Sequence, residues 1–241
     1  MTKLKRDKWL QYRILRTIPA LAARIPETRL LKLNMMTKLL PQYQGIVLKP
    51  RGGRFGRHIL FITLNRSRSY RVHVEKKTFT FKKTKPLIQW ISKMTGSRSY
   101  IVQRRLWLAR IRGNPFDIRI MVQRRKGASS TWNVTGSYAK IAAQGYLVTN
   151  VPSGILPVSE ALKHARIGDR SLLVQCERIA RLAARRLGER FPKLRQVGFD
   201  LGIDEKRRIW ILEGNYKPDL LPFRLLKDSS IYRRIRWYQN H

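Results

Sequence analysis

The stretch Val197-Gly198-Phe199-Asp200-Leu201-Gly202-Ile203, followed by Arg208-Ile209-Trp210-Ile211-Leu212 and then Glu213-Gly214-Asn215, decides the fold. Both halves read as short apolar strands, and Asp204–Arg208 reads as the turn between them. Paired as a hairpin, the strands bring Asp200 close to Glu213. Two carboxylates and the Asn215 amide oxygen form a hard-oxygen set suited to Mg²⁺, with phosphate oxygens and water as further ligands. Acidic residues are scarce, 14 against 52 Lys+Arg. Yet Asp200, Asp204, Glu205, Glu213, Asp219 and Asp228 all lie near the C-terminal end. The alternative is that they only neutralise nearby arginines; the Asp…Glu-x-Asn spacing favours the metal.

Upstream, Phe116 to Arg124 and Trp132 to Ile141 read as two more strands, with a Gly-Ala-Ser-Ser turn between them. Alternate side chains of a strand share a face, so Asp117 and Arg119 point the same way. An arginine held by a neighbouring carboxylate is well placed to grip a phosphate bidentately. A plain salt bridge on the strand face is the alternative. Further back, Gly45-Ile46-Val47-Leu48-Lys49-Pro50 has the pattern of a buried strand, and Arg51-Gly52-Gly53-Arg54-Phe55-Gly56-Arg57 follows it. A lysine at a strand end can meet phosphate oxygens, and glycines let backbone N–H groups approach them. No Gly-Lys-Ser/Thr closes the turn, so it is not a P-loop. A basic β-hairpin turn is the other reading.

His58 to Leu64, Tyr70 to Val74, Thr78 to Phe81 and Tyr100 to Gln103 read as short strands. Residues 1–25 are roughly helical in spacing, broken at Pro19. Further helices are expected from Thr28 to Leu40, ended by Pro41, from Pro86 to Met94, and from Ser171 to Leu187. The last has Leu172, Cys176, Ile179 and Ala183 as its apolar stripe and Arg178, Arg181 and Arg185 on another face. Residues 142–157 read as a loop. The sum is an α+β chain with mostly antiparallel sheets. It divides into an N-terminal helical segment (1–44), a first lobe (45–103), a second lobe with the metal site (104–228) and a basic tail (229–241).

The chain has 241 residues, 43% of them hydrophobic, enough to bury a core in one large domain or two small lobes. Its formal net charge is +38, spread over the whole length. Such charge favours polyanionic partners: nucleic acid, an acidic polymer or an anionic membrane surface. Cys176 is the single cysteine, so no intramolecular disulfide forms; a buried structural thiol in a reducing cytoplasm is the expectation. No stretch approaches the roughly 18 consecutive apolar residues of a spanning helix. The Ile18–Ala23 run, interrupted by Pro19 and followed by Arg24, does not read as a signal peptide.

The order of these motifs is similar to the ATP-grasp superfamily, and resembles above all the YheC/YheD endospore coat-associated family. The matching stretches are Ile25-Pro-Glu-Thr-Arg29, Val47-Leu-Lys-Pro50 with the glycine loop, Tyr100-Ile-Val-Gln103 and Phe116-Asp-Ile-Arg119. They continue with Val148-Thr-Asn-Val-Pro-Ser-Gly154, Gly198-Phe-Asp-Leu-Gly-Ile-Asp204 and Leu212-Glu-Gly-Asn-Tyr-Lys-Pro218. The resemblance spans residues 25–220 and implies two α+β lobes gripping ATP. Lys49 would contact the ATP phosphates under Gly52, Gly53 and Gly56. Tyr100, Ile101, Val102 and Gln103 would be the hinge against adenine, and Asp117 would belong to the nucleotide site. Arg119 would bind the transferred phosphate, and Lys140 stands where related ligases carry arginine. Asn150 would line the catalytic mouth, while Asp200, Glu213 and Asn215 would hold Mg²⁺. In such enzymes a carboxylate attacks the γ-phosphate, and an amine attacks the resulting acyl phosphate. The chain departs from the family pattern at Ile155, Gly214 and Lys140, and only residues 1–44 precede the first ATP strand.

Three functions follow as expectations. The first is an ATP-dependent carboxylate–amine (or thiol) ligase with an acidic or polyanionic acceptor, cytoplasmic and associated with the endospore or its coat. The second is an ATP-grasp module that binds nucleotide without ligation. The third is a structural, polyanion-binding spore protein. Nucleic-acid binding is the less favoured partner reading. Trp90, Trp107, Trp132 and Trp237 are scattered, and the Arg233–Tyr238 segment reads as a solvated basic tail.

Overall fold

The computed structural model describes residues 7–53, 56–127, 131–168 and 170–241. Arg54 and Phe55 of the glycine turn, and Ala128, Ser129 and Ser130 of the later turn, lie outside the described residues. The elements are α1 (Lys8–Leu15), α2 (Pro19–Ala22), β1 (Thr28–Leu30), α3 (Leu33–Tyr43), β2 (Gly45–Pro50), β3 (Leu60–Leu64), β4 (Tyr70–Val74), β5 (Lys77–Phe81), α4 (Thr84–Thr95) and β6 (Tyr100–Arg104). Then come β7 (Arg110–Ile111), β8 (Asn114–Gln123), β9 (Asn133–Ala142), β10 (Pro152–Leu156), α5 (Val158–Ala165), α6 (Arg170–Arg190), β11 (Gln196–Ile203), β12 (Ile209–Asn215), α7 (Leu221–Arg224) and α8 (Ser229–Asn240). The class is α+β with two antiparallel sheets. The chain forms two compact units, one of Met1–Tyr12 with Pro26–Leu106 and one of Arg13–Ile25 with Trp107–His241.

The first unit holds a sheet of order β1-β6-β2-β3-β4-β5. Its strands alternate apolar side chains, and one face is covered by α3 and α4. Met36 and Leu40 of α3 and Leu87 and Ile91 of α4 close over Ile46, Leu48, Leu60 and Val102. Each such residue stabilises the unit by about 1.5–3 kcal/mol when fully buried. Two expectations change here. Thr28 does not begin a helix: Thr28–Leu30 pairs with Gln103–Ile101 as an edge strand. The ladder bonds and the β-branched Thr28 override the helical spacing of the leucines. Pro41 does not end α3 either. It sits in the last turn, and the helix runs on to Tyr43, whose hydroxyl donates to Glu27. Gln44, left-handed at φ 55°, then stops it.

Asp7 ties the start of the chain to the glycine turn. Its Oδ1 caps α1 by accepting from the Trp9 and Leu10 amides at 3.0 and 3.2 Å. Arg51 donates to both its oxygens, at 2.8 and 2.6 Å. That Arg51 hydrogen bond holds the Asp7 carboxyl below the usual carboxylate range. Asp7→Ala is therefore expected to lose about 1–2 kcal/mol at pH 7, from the cap and a partly buried ion pair. Because the folded pKa is lowered, the ion-pair share is present above pH ~4 and disappears as pH falls through the folded value. Urea unfolding of both proteins between pH 3 and pH 7 checks this. The amide bonds of the cap also favour the charged carboxylate, so a pH-independent gap would mean that the charge of Asp7 contributes nothing.

The second unit holds a sheet of order β10-β9-β8-β11-β12, with β7 paired to β8. α6 lies along one face and buries Leu172, Cys176, Ala180, Ala183, Ala184 and Leu187. Burial pushes the Cys176 thiol up to about 12, so it stays protonated and is a structural group. Arg178, Arg181 and Arg185 are exposed on the other side of α6. The span 142–157, expected as a loop, contains β10, an edge strand that tolerates Pro152 and Gly154. The expected basic tail is also corrected: Ser229–Asn240 of it forms α8. Asp228 caps it by accepting from the Ser230 amide, and Ile235 is fully buried. The arginines around Ile231 and Ile235 hide that four-residue spacing in the sequence.

Candidate functional site

Four strands of the second unit set a row of polar side chains on one sheet face. Tyr138 on β9 lies opposite Arg119 on β8, Arg119 opposite Asp200 on β11, and Asp200 opposite Glu213 on β12. Directly opposed residues of an antiparallel pair share a face, so the four side chains line up across the sheet. One step along, Lys140 opposes Asp117, and Asn215 opposes Gly198.

The contacts follow that register. Arg119 Nε and Nη2 donate to Asp200 Oδ1 and Oδ2 at 2.6 and 3.0 Å. The bare Cα of Gly198 makes this possible: a Cβ there would stand 3.1 Å from Arg119 Cδ and 2.8 Å from Pro218 Cβ. Lys140 Nζ sits between two carboxylates, 3.4 Å from Asp117 Oδ1 and 3.5 Å from Asp200 Oδ1. Asp117 Oδ1 has no hydrogen-bond donor, so its attraction to Lys140 is Coulombic. Asp117 Oδ2 accepts from the Thr149 hydroxyl. Asn215 Nδ2 donates to Asp200 Oδ2 at 3.2 Å.

Asp117 and Arg119 share a face as expected, but the carboxylate that grips Arg119 is Asp200. Residues two apart on one strand are roughly 6.6 Å apart, whereas opposed residues of neighbouring strands are ~5 Å apart. The electrostatics follow. Burial drives the Asp117 carboxyl up to about 6, against the pull of Lys140. Burial also acts on Asp200, but Arg119 and Lys140 outweigh it and hold that carboxyl below its usual range. Lys140 is pushed down by burial, yet Asp117 and Asp200 leave it raised overall. Burial raises the Tyr138 phenol to about 12, so it stays neutral beside Arg119.

Among the described residues, no three His, Cys, Asp or Glu side chains form a metal-binding group. A hard cation here would draw on two carboxylates and an amide. Asp200 and Glu213 are opposed in register, and the Asn215 amide touches Asp200. The oxygen chemistry fits Mg²⁺, provided that Arg119 yields one Asp200 oxygen and the Asn215 amide turns. Asp204 belongs elsewhere: it locks its turn by accepting from the Lys206 and Arg208 amides, Arg208 Nε and Trp210 Nε1.

In the first unit, Lys49 Nζ donates to Gln103 Oε1 at 2.7 Å. Lys49 and Ile101 are opposed on β2 and β6, so Lys49, Ile101 and Gln103 share a face. Val102 and Tyr100 point the opposite way, into the core under α3 and α4. Their side chains therefore do not fit a purine-contact role. Tyr100 instead anchors the glycine turn, its hydroxyl donating to the His58 carbonyl at 3.1 Å. Since β6 pairs with β1 on one edge and β2 on the other, its backbone groups are engaged in the ladder. Gly52 and Gly53 follow β2 after Arg51, and Gly56 has φ 62°. Asn150 is exposed, next to the buried Thr149.

Two members of the polar cluster are absent from the sequence expectations. Tyr138 was signalled by its alternation with Lys140. Thr149 carried no signal beyond its place beside Asn150 in the Val148–Gly154 stretch.

The description "YheC/D like ATP-grasp" matches residues 2–238 of the chain. The endospore coat-associated protein YheD of Bacillus subtilis (strain 168) is 23% identical over 219 residues, 88% of this chain and 48% of that protein. YheC of the same organism is 25% identical over 219 residues, 88% of this chain and 60% of that protein. The chain thus spans about half the length of these curated relatives. Among solved structures it is similar to a biotin carboxylase–beta-gamma-ATP complex from Campylobacter jejuni, with TM-score 0.61, 13% identity, and 99% of this chain and 47% of that one covered. The ADP complex of the N5-carboxyaminoimidazole ribonucleotide synthetase purK gives 0.58 at 13% identity, over 98% and 52% of the two chains. D-cycloserine synthetase DcsG gives 0.57 at 13% identity, over 98% and 70%. At such identities these likenesses speak for the fold, two antiparallel α+β units, and the family match covers nearly the whole chain. The chain belongs to the YheC/D-like ATP-grasp family.

Proposed function

We propose that this chain binds Mg-ATP and acts as an ATP-dependent carboxylate–amine (or thiol) ligase on an acidic or polyanionic acceptor. The observation that carries the reading is the row Arg119–Asp200–Glu213, with Lys140 and Asn215 beside it. In this reading residues 45–103 and 104–228 are the two ATP-grasp lobes. Lys49 and the backbone of Gly52, Gly53 and Gly56 meet the ATP phosphates, while Ile101 offers an apolar contact to adenine. Arg119 leaves Asp200 and takes the transferred phosphate with its planar fork. Lys140 neutralises the charge that develops on the phosphoryl oxygens, and Asn150 lines the acceptor side. Asp200, Glu213 and Asn215 would hold Mg²⁺, which would supply neutralisation of the phosphate charge when bound. The protein's share of catalysis is positioning and charge neutralisation.

The exposed Arg178, Arg181 and Arg185 row on α6 suits the attraction of an acidic acceptor. The names of YheC and YheD connect those proteins with the endospore coat, and the same setting is proposed for this chain. No helix among the described residues is long and apolar enough to cross a membrane. The same basic surface, with a formal +38 overall, also favours a second reading, a non-catalytic nucleotide- or polyanion-binding spore protein.

Calorimetry at moderate and high salt tests the choice. Glu213→Gln removes a proposed ligand and leaves the Arg119–Asp200 pair intact. It is expected to weaken Mg-ATP binding about tenfold, the worth of one charge-assisted contact. Wild-type affinity that collapses with salt and equals that of Glu213→Gln would favour the polyanion reading.

A further inference from the structure

Thr28 belongs to the Ile25–Arg29 stretch, which the family resemblance marks without giving it a task. On β1 it lies opposite Gln103 of β6. Its hydroxyl donates to the Pro26 carbonyl at 2.8 Å, in a buried bond. A hydroxyl has one proton, so toward Gln103 the Thr28 oxygen can only accept. Gln103 Nε2 donates to it at 2.8 Å, also in a buried bond. That fixes which end of the Gln103 amide faces Thr28, and therefore which end faces Lys49. The carbonyl oxygen is the end presented to Lys49 Nζ, at 2.7 Å. The reversed amide would set its NH₂ against an ammonium, donor to donor.

We infer that Thr28 and Gln103 are positioning residues for Lys49, forming a directional relay, Pro26 carbonyl–Thr28–Gln103–Lys49, that holds the lysine ammonium for anionic oxygens of a nucleotide. This rests on the reading of Lys49 as a phosphate ligand. Thr28 is 1% exposed and Gln103 7%, so water does not readily substitute in the relay. What Gln103 presents to Lys49 is a neutral amide oxygen. It orients the ammonium without cancelling its charge, whereas a carboxylate at 103 would form an ion pair and compete with phosphate. The relay also explains why the chain adds a short edge strand beside β6: without β1 no hydroxyl would stand next to the Gln103 amide.

Calorimetric Mg-ATP affinities for four variants and one double variant test the relay. Thr28→Val keeps the shape, removes the hydroxyl and is expected to weaken binding about fivefold to tenfold. Thr28→Ser restores the hydroxyl and should stay within about twofold of wild type. Lys49→Met should weaken binding at least as much as Thr28→Val, and Thr28→Val should add nothing in the Lys49→Met background. A Thr28→Val effect of equal size in both backgrounds would reduce Thr28 to a structural residue and overturn the relay. So would full affinity in Thr28→Val when Lys49→Met is impaired. Unchanged affinity in Lys49→Met would instead remove the phosphate role of Lys49, and with it the ATP reading of this unit. Gln103→Glu covers the case in which Thr28→Val does not fold. It retains an acceptor, neutralises Lys49, and is expected to bind Mg-ATP about tenfold more weakly; wild-type affinity in that folded variant would overturn the relay.

Discussion

Arg119→Met is expected to cost the protein about 3–5 kcal/mol of folding stability, because it leaves a buried carboxylate without its principal counter-ion. Arg119 and Asp200 are only 8% and 13% exposed at their side chains, and both Asp200 oxygens accept from the guanidinium. Lys140 remains 3.5 Å from Asp200, but it is also shared with Asp117. One ammonium then serves two buried carboxylates, so partial compensation places the expected loss toward the lower end of that range. Urea unfolding with both midpoint and slope recorded gives the value. A variant as stable as wild type would mean that the guanidinium does not compensate Asp200 in solution.

The same variant separates two roles of Asp200. In the wild type, Arg119 holds the oxygens that the proposed cation needs, so Mg²⁺ alone should raise the unfolding temperature little. In Arg119→Met the carboxylates of Asp200 and Glu213 face each other across the ladder without that competitor. Mg²⁺ at about 100 times its dissociation constant would then return up to ~2.7 kcal/mol. An equal Mg²⁺ response in both proteins would show that Arg119 and the cation do not share Asp200.

The parts of this site that were legible in the sequence are those made by neighbours in sequence. The β11–β12 hairpin places Asp200 opposite Glu213 because two alternating strands flank one short polar turn, and the turn carries its own lock in Asp204. Alternation likewise put Asp117 with Arg119 on a common face. What strand periodicity does not carry is which strand lies next door. Arg119 and Asp200 are separated by 81 positions, and only the β8–β11 pairing joins them. The misreadings share one cause, the loss of local signal to tertiary pairing. Thr28 sits in a leucine-rich stretch with helical spacing but serves as an edge strand. Thr149 lies in a segment with turn composition, yet its buried hydroxyl meets Asp117. The Val102 side chain packs in the core, since strand parity sends it to the face opposite Lys49.

Phe223→Ala is expected to lower stability by about 3–5 kcal/mol, a loss as large as that of Arg119→Met but with a different origin. Phe223 is fully buried in α7 and packs edge-on against Tyr138, with ring centroids 4.7 Å apart at 79°. With Leu226 and Ile235 it covers the part of the β8–β9 face that the polar row leaves apolar. The fit is close enough to need a glycine in the sheet. A Cβ on Gly136 would lie 2.6 Å from Ile231 Cγ2 and 3.0 Å from Phe223 Cε1. So tight a layer relaxes little around a deleted ring, which keeps the cavity cost high. The loss also reaches the site, because Tyr138 is the register partner of Arg119 and Phe223 supports its ring. Mg-ATP affinity of the folded variant should therefore fall along with stability. If α8 were instead a solvated basic tail, Phe223 would keep Tyr138 but lose Ile235, and the loss would fall below that range. Urea unfolding of Phe223→Ala beside a chain ending at Asp228 distinguishes the two: similar large losses in both would mean that helix and ring form one layer, whereas a stable shortened chain would return the basic segment to solvent.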